Sequence, residues 1–370
     1  MSSMLLNRFL SYCTVPAPSL SEGPMAERVR HELEALGLSW QEDGAAAAIG
    51  GEAGNHFTSL EPAGPADRWI VLAAHLDAVP PGHGTDPAVD GDIVRSREGI
   101  LAGDDRAGVA IILQILEDLG REPLKRTGVQ AVFSVCEESG IKGVKAMDRS
   151  RLLGESVIVI DTAGSPGQMN VRSPEAKKFT CTFRGKSAHA GVSPEAGVNA
   201  LLMATRVAES LPSGRIDGDT TFSFTVLRAG DATNVVPDKA VLRGETRSFI
   251  EGETQRLMAN LEEICAEAAA AAGGGAQVGW EEQFPGFSLD PDAPLVRDLA
   301  RAAERCGFAP EPRKSGGGSD ANVYNAMGIP AVNIAAGYRN GHSPEEHLVV
   351  SDFEGVYRWV SEYLRMVDGG

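Results

Sequence analysis

RWIVLAAHLD, residues 68 to 77, is an almost unbroken apolar run that ends in a histidine and an aspartate, and its reading decides the fold. So short and continuous a run suits a strand covered on both faces, as in the parallel sheet of an α/β protein. Comparable strand patterns recur in GVQAVFSVCEESG (128 to 140), SVIVIDTAG (156 to 164) and PAVNIAAG (330 to 337). Helical patterns intervene: MAERVRHELEALG (25 to 37) ends in a C-capping glycine, and DDRAGVAIILQILEDLG (104 to 120) opens on two aspartates. The alternation predicts an α/β domain with a mixed or parallel sheet flanked by helices.

From about Ala176 the pattern changes. KKFTCTFRG alternates, PEAGVNALLMATRVAESL is helical, TTFSFTVLRAG and KAVLRGETRSF alternate, ETQRLMANLEEICAEAAAAAGGG is a helix with a glycine stop, and AQVGWEEQF closes the series. This β-α-β-β-α-β order is that of a small open-faced α+β sandwich. We read residues 176–284 as an inserted domain, with 1–175 and 285–370 forming one discontinuous α/β core. A chain of 370 residues is long enough for two such units.

Composition narrows the function classes. The net charge of −17, from 51 acidic against 34 basic residues, repels phosphate backbones and anionic membranes, so no nucleic-acid or membrane partner is expected. Five cysteines without a C-x-x-C spacing read as reduced thiols. The amino-terminal apolar stretch lacks the features of a signal peptide, and no run reaches the roughly 18 apolar residues of a membrane span. These readings lead to an expectation of cytoplasmic localisation.

The expected core strands end in residues able to bind a metal. His75 and Asp77 close the first, Glu137 and Glu138 the second and Asp161 the third, while His342 follows the fourth. In open α/β sheets, ligand sites assemble at the carboxyl ends of strands. Taken alone, His75 could be a buried, hydrogen-bonded histidine; Asp77, two residues on, leaves the same face and can fix the imidazole tautomer. Glu137 and Glu138 could form a solvated turn, but adjacent carboxylates point in different directions, so one can bind metal while the other moves a proton. Asp104 and Asp105 can each cap the helix they open. We give the cap to Asp105 and leave Asp104 to bridge two cations about 3.5–4 Å apart.

In this order, AAHLDAVPPG, LAGDDRAG, VCEESG, VIDTAG, GKSAHAG and NGHSPEEH resemble the motifs of the M20 family of co-catalytic zinc peptidases, closest to its peptidase T-like aminotripeptidases. The resemblance spans nearly the whole chain. It implies a phosphorylase/hydrolase-like catalytic domain with an inserted lid and dimerisation domain, two divalent cations (zinc first, cobalt or manganese as alternatives) and a homodimer acting on short peptides. Residue by residue, it implies that His75 and Asp161 hold one cation, Glu138 and His342 the other, and Asp104 bridges. Asp77 would orient His75, and Glu137 would be the general base. His189 would reach across the dimer to the oxyanion, and Asn234 and Arg247 would bind polar groups of the substrate. Arg106 stands where the family usually has lysine, and His347 competes with His342 for the last ligand position.

Two other readings compete with the peptidase: an N-acyl amino acid deacylase or desuccinylase of the same family, and a catalytically silent binding protein. The complete ligand set argues against the last. GKS in FRGKSAHAG lacks the glycine a phosphate-binding loop needs five residues before its G-K pair, and HELEA lacks a second histidine. SGGGSD (315 to 320) reads equally as a loop receiving a substrate carboxylate or as a packing turn.

Overall fold

The computed structural model describes residues 3–79 and 85–369. Pro80 to Gly82, the end of the AAHLDAVPPG motif, lie outside the described residues. The chain forms two compact units, one of Met1–Arg172 with Ser288–Gly370 and the other of Ser173–Phe287.

In the first unit, Thr127–Ser134, Arg68–His75, Val157–Thr162 and Ala331–Ala335 lie side by side and parallel. Every residue of Thr127–Ser134 is buried, which accounts for the consecutive apolar residues 131–133 and takes in the polar Thr127, Gln130 and Ser134. Antiparallel neighbours make the sheet mixed: His56–Leu60 on the Thr127–Ser134 side and Gln168–Ser173 beside Ala331–Ala335. The α/β fold with helices around a mixed sheet is therefore as the sequence indicates. Among the described residues, no helix is long and apolar enough to cross a membrane.

Helix Gly103–Arg121 is buried continuously from Arg106 to Leu116. Gly108 permits its close approach to the sheet, since a Cβ there would lie 2.1 Å from the Ile160 carbonyl oxygen. That approach sets the helix start beside the strand ends carrying His75 and Asp161. Arg106 is fully buried and donates to the Leu76 carbonyl, and to that of Val15 at 3.2 Å, so it ties the strand exit to the amino-terminal segment. The amino-terminal apolar stretch is helix Met4–Cys13, with Phe9 and Tyr12 in the core.

A second, small sheet joins Pro87–Asp90, Ile93–Ser96, Tyr338–Arg339 and His347–Val349. The last two strands pair antiparallel and present the intervening segment that carries His342.

The inserted unit is a separate antiparallel sheet in the order Gly214–Arg215, Thr220–Ala229, Lys239–Ser248, Glu175–Arg184, Gly275–Phe284. Helices Ala200–Ser210 and Glu253–Ala272 share one core with it, built on Phe179, Cys181, Phe183, Met203, Phe222 and Leu261. This is the β-α-β-β-α-β order, with a two-residue strand added at one edge.

Candidate metal centre

His75 is the last residue of its strand, Asp161 lies next to the end of the parallel strand beside it, and Glu137 and Glu138 follow the strand on the other side. Between them stands the start of the helix with Asp104 and Asp105, both in non-helical conformations and joined by a cis peptide bond. His75 Nε2 lies 3.0 Å from Asp104 Oδ1 and 3.5 Å from Asp161 Oδ1. His342 Nε2 lies 2.8 Å from Glu138 Oε1 and 3.2 Å from Asp104 Oδ2. Asp104 thus turns one oxygen to each histidine, and the fold brings His75, Asp104, Glu138, Asp161 and His342 together. His347 sits on a strand with Nδ1 3.0 Å from the Glu345 carbonyl, so the ring at this cluster is His342.

The surroundings fix these side chains. His75 Nδ1 lies 3.0 Å from the carbonyl of Asp77 and 3.3 Å from its Oδ1, which keeps a proton on Nδ1 and frees Nε2 for a cation. Asp105 accepts the Gly108 amide at 2.9 Å and the His75 amide at 3.2 Å, so both its oxygens are engaged by backbone. Glu346, buried, accepts the amides of Ala102 (2.8 Å) and Asp104 (3.1 Å). Asn333 receives the Asp161 amide at 3.2 Å, and the Tyr338 hydroxyl donates to the Asp161 carbonyl at 3.1 Å.

The roles of Asn333, Tyr338 and Ser19, whose hydroxyl donates to Asp77 at 2.6 Å, escape sequence reasoning because these bonds join segments far apart in the chain. Asn333 leaves the one visible sign, a polar residue inside an apolar strand. Asp320 of the SGGGSD loop is also buried; it accepts from the Ser134 hydroxyl, and its other oxygen has no hydrogen-bond partner among the described residues.

The charges are crowded. Burial and the neighbouring Asp104 push Asp161 up to about 8, and burial with the charge of Asp161 raises Glu137 well above the usual carboxylate range. Hydrogen bonds to Asp104 and Glu138 push His342 up to about 10. Without a cation, protons offset the repulsion among these acids. Their donor set fits divalent cations: three carboxylates and two imidazoles are oxygen and nitrogen ligands suited to zinc, and two dications more than balance the three negative charges.

The two glutamates differ. The Glu138 carboxylate is engaged by His342, whereas that of Glu137 has no hydrogen-bond partner among the described residues. Both backbone amides donate to Asp77, at 2.9 Å from Glu137 and 3.1 Å from Glu138.

His189, Asn234 and Arg247 belong to the inserted unit. The segments of His189 and Asn234 are paired there through a bridge between His189 and Val235, and the Ala190 amide donates to the Asn234 carbonyl at 2.9 Å. His189 is exposed and its Nδ1 accepts the Gly191 amide at 3.2 Å, so the neutral ring carries its proton on Nε2, ready to donate. Arg247 packs over the Phe284 ring at 5.6 Å and bonds Glu245 at 3.1 Å.

The sequence model of peptidase family M20/M25/M40 matches residues 71–366. An uncharacterized protein of Bacillus subtilis, YqjE, is 33% identical over 350 residues, 94% of each chain. Aminopeptidase PepT of Bacillus cereus superposes with a TM-score of 0.91 at 32% identity, covering 98% of both chains. A tripeptidase of Staphylococcus aureus gives 0.94 at 28%, covering 99% of this chain and 98% of its own.

Proposed function

Because the chain belongs to peptidase family M20/M25/M40, we propose that it is an aminopeptidase of short peptides, tripeptides foremost, that works with two divalent cations, zinc in first place. The observation that carries this reading is the division between adjacent glutamates beside a shared aspartate: Glu138 is engaged by a histidine of the cluster, while Glu137 is left uncommitted. The preference for tripeptides is supported by the tripeptidase and the aminopeptidase to which the chain is similar.

In this reading His75 and Asp161 would hold one cation and Glu138 and His342 the other, and Asp104 would offer one oxygen to each. Such cations supply Lewis acidity toward a peptide carbonyl and bring the pKa of water to about 7. Glu137 removes the proton of the attacking water and returns it to the leaving amine. Asp77 keeps the His75 proton on Nδ1. His189 donates through Nε2 to the oxyanion, and Asn234 and Arg247 bind polar groups of the peptide, the arginine through a fork that fits a carboxylate. The protein acts as a homodimer in the cytoplasm, where its five free thiols stay reduced.

Incubation with di-, tri- and tetrapeptides beside N-acetyl and N-succinyl amino acids tests the substrate class. Release of the amino-terminal residue, fastest from tripeptides, is expected, with activity lost on chelation and restored by zinc, cobalt or manganese. Preferential release of acetate or succinate would reassign the enzyme as a deacylase. Glu138→Ala is expected to bind one cation per chain in place of two, as read by elemental analysis. Unchanged stoichiometry would remove Glu138 from the ligand set.

A further inference from the structure

The turn that carries the two glutamates is held from a segment more than a hundred residues away. Cys136, immediately before Glu137, has φ +54°, in the left-handed region that residues other than glycine, asparagine and aspartate rarely adopt. Three successive amides emerge there, and each meets a buried carboxylate: Cys136 donates to Glu22 Oε1 at 3.0 Å, Glu137 to Asp77 Oδ1 at 2.9 Å and Glu138 to Asp77 Oδ2 at 3.1 Å. Both acceptors are tied to the segment Pro18–Glu22. Ser19 donates its hydroxyl to Asp77 Oδ2 at 2.6 Å, and the Leu20 amide donates to Glu22 Oε1 at 2.8 Å, with Leu20 itself at φ +74°. A bridge between Pro18 and Ala78 and a bond from the Ala78 amide to the Ala17 carbonyl at 2.9 Å fasten the segment to the strand exit that carries Asp77.

Glu22 is fully buried, and its second oxygen has no hydrogen-bond partner among the described residues. Burying a half-satisfied carboxylate is unfavourable, so packing alone gives no reason for an acid there. What the residue does supply is an acceptor for the strained amide next to Glu137.

We propose that Ser19 and Glu22 are positioning residues that clamp the Cys136–Glu138 backbone, aiming Glu137 at the substrate and Glu138 at its cation. The assignment rests on the peptidase reading above. Through Asp77 the clamp also touches His75, so one hydroxyl steadies the turn and the orientation of a cluster histidine.

The test uses the full chain carrying Co2+, with Ser19→Ala, Ser19→Thr, Glu22→Ala and, as reference, Glu137→Gln. At saturating Co2+, both alanine variants are expected to lose about 10–100-fold in kcat, the scale of a lost supporting hydrogen bond at a metal site. KM for a tripeptide should stay unchanged, and thermal melting should show the proteins folded at the assay temperature. Ser19→Thr, which keeps the hydroxyl, should recover the activity. The visible absorption of bound Co2+ should also change in the alanine variants, a readout independent of turnover.

Wild-type kcat in both alanine variants, beside a Glu137→Gln protein that has lost activity, overturns the clamp and leaves the peptidase reading intact. So does failure of threonine to rescue. If the wild type releases no residue from any peptide, the peptidase reading fails instead, and an unchanged Co2+ spectrum in both variants then overturns the clamp as well. Should the alanine variants not fold, the near-isosteric Ser19→Cys decides: reduced kcat in a folded protein supports the proposal, and wild-type kcat overturns it.

Discussion

Glu137→Gln is expected to lower kcat by about 10²–10⁴-fold, the range for removing a positioned general base, while the protein binds as much metal as before. The two glutamates touch different groups. Glu138 faces His342 at 2.8 Å, and the Glu137 carboxylate is free of hydrogen bonds among the described residues, so amidation of Glu137 removes a proton acceptor but no ligand. Glutamine matches glutamate in size, and the Glu137 amide keeps its bond to Asp77. KM should change little, because the lost interaction belongs to the proton-transfer step. Steady-state kinetics with a tripeptide, paired with elemental analysis of the same samples, checks both halves. Loss of stoichiometric metal in Glu137→Gln would mean that the neighbours have exchanged roles.

The parts of this architecture legible in the sequence are those where burial is two-sided and long enough to imprint a pattern. Arg68–His75 and Val157–Thr162 end within two residues of where their apolar runs predict, because a parallel strand between helices has no wet face to interrupt it. The inserted sheet was legible for the opposite reason: Glu175–Arg184 and Lys239–Ser248 bury alternate residues, and the period changes visibly from that of the core. His347–Val349 and Tyr338–Arg339 span three and two residues, too few to show any period, and so the small sheet that frames His342 has no signature. His56–Leu60 carries a histidine, a threonine and a serine among its five residues and is lost among loops for that reason.

In the candidate metal centre, residue types at strand ends were visible, and their supports were not. Asp77 is two residues from His75 and could be paired with it on paper. The partners that Ser19, Glu22 and Asn333 find lie 58, 114 and 172 positions away, at distances where a single sequence holds no geometric information. Asp104 and Asp105 are alike in sequence. Folding distinguishes them: Asp105 spends both oxygens on the amides of Gly108 and His75, and Asp104 sends its oxygens to the two histidines.

His189→Ala is expected to lower kcat by about 10²–10³-fold, the loss that follows removal of one oxyanion donor, with both cations retained. Nδ1 accepts the Gly191 amide, which leaves Nε2 as the donor position of the ring. His189→Gln, which can still donate, should recover part of the loss if hydrogen bonding is what matters. The family resemblance goes further and implies that each site receives its His189 from the partner subunit. Subunit exchange tests that directly. His189→Ala and Glu137→Gln are each expected to keep no more than about one per cent of the wild-type kcat, but a hybrid dimer would contain one site pairing the first chain's Glu137 with the second chain's His189. At equal mixing, half the dimers are hybrids with one working site of two, so activity should return to about a quarter of the wild-type level. Hybrids isolated by differential tagging and found inactive would assign His189 to its own subunit's site, or remove it from the chemistry.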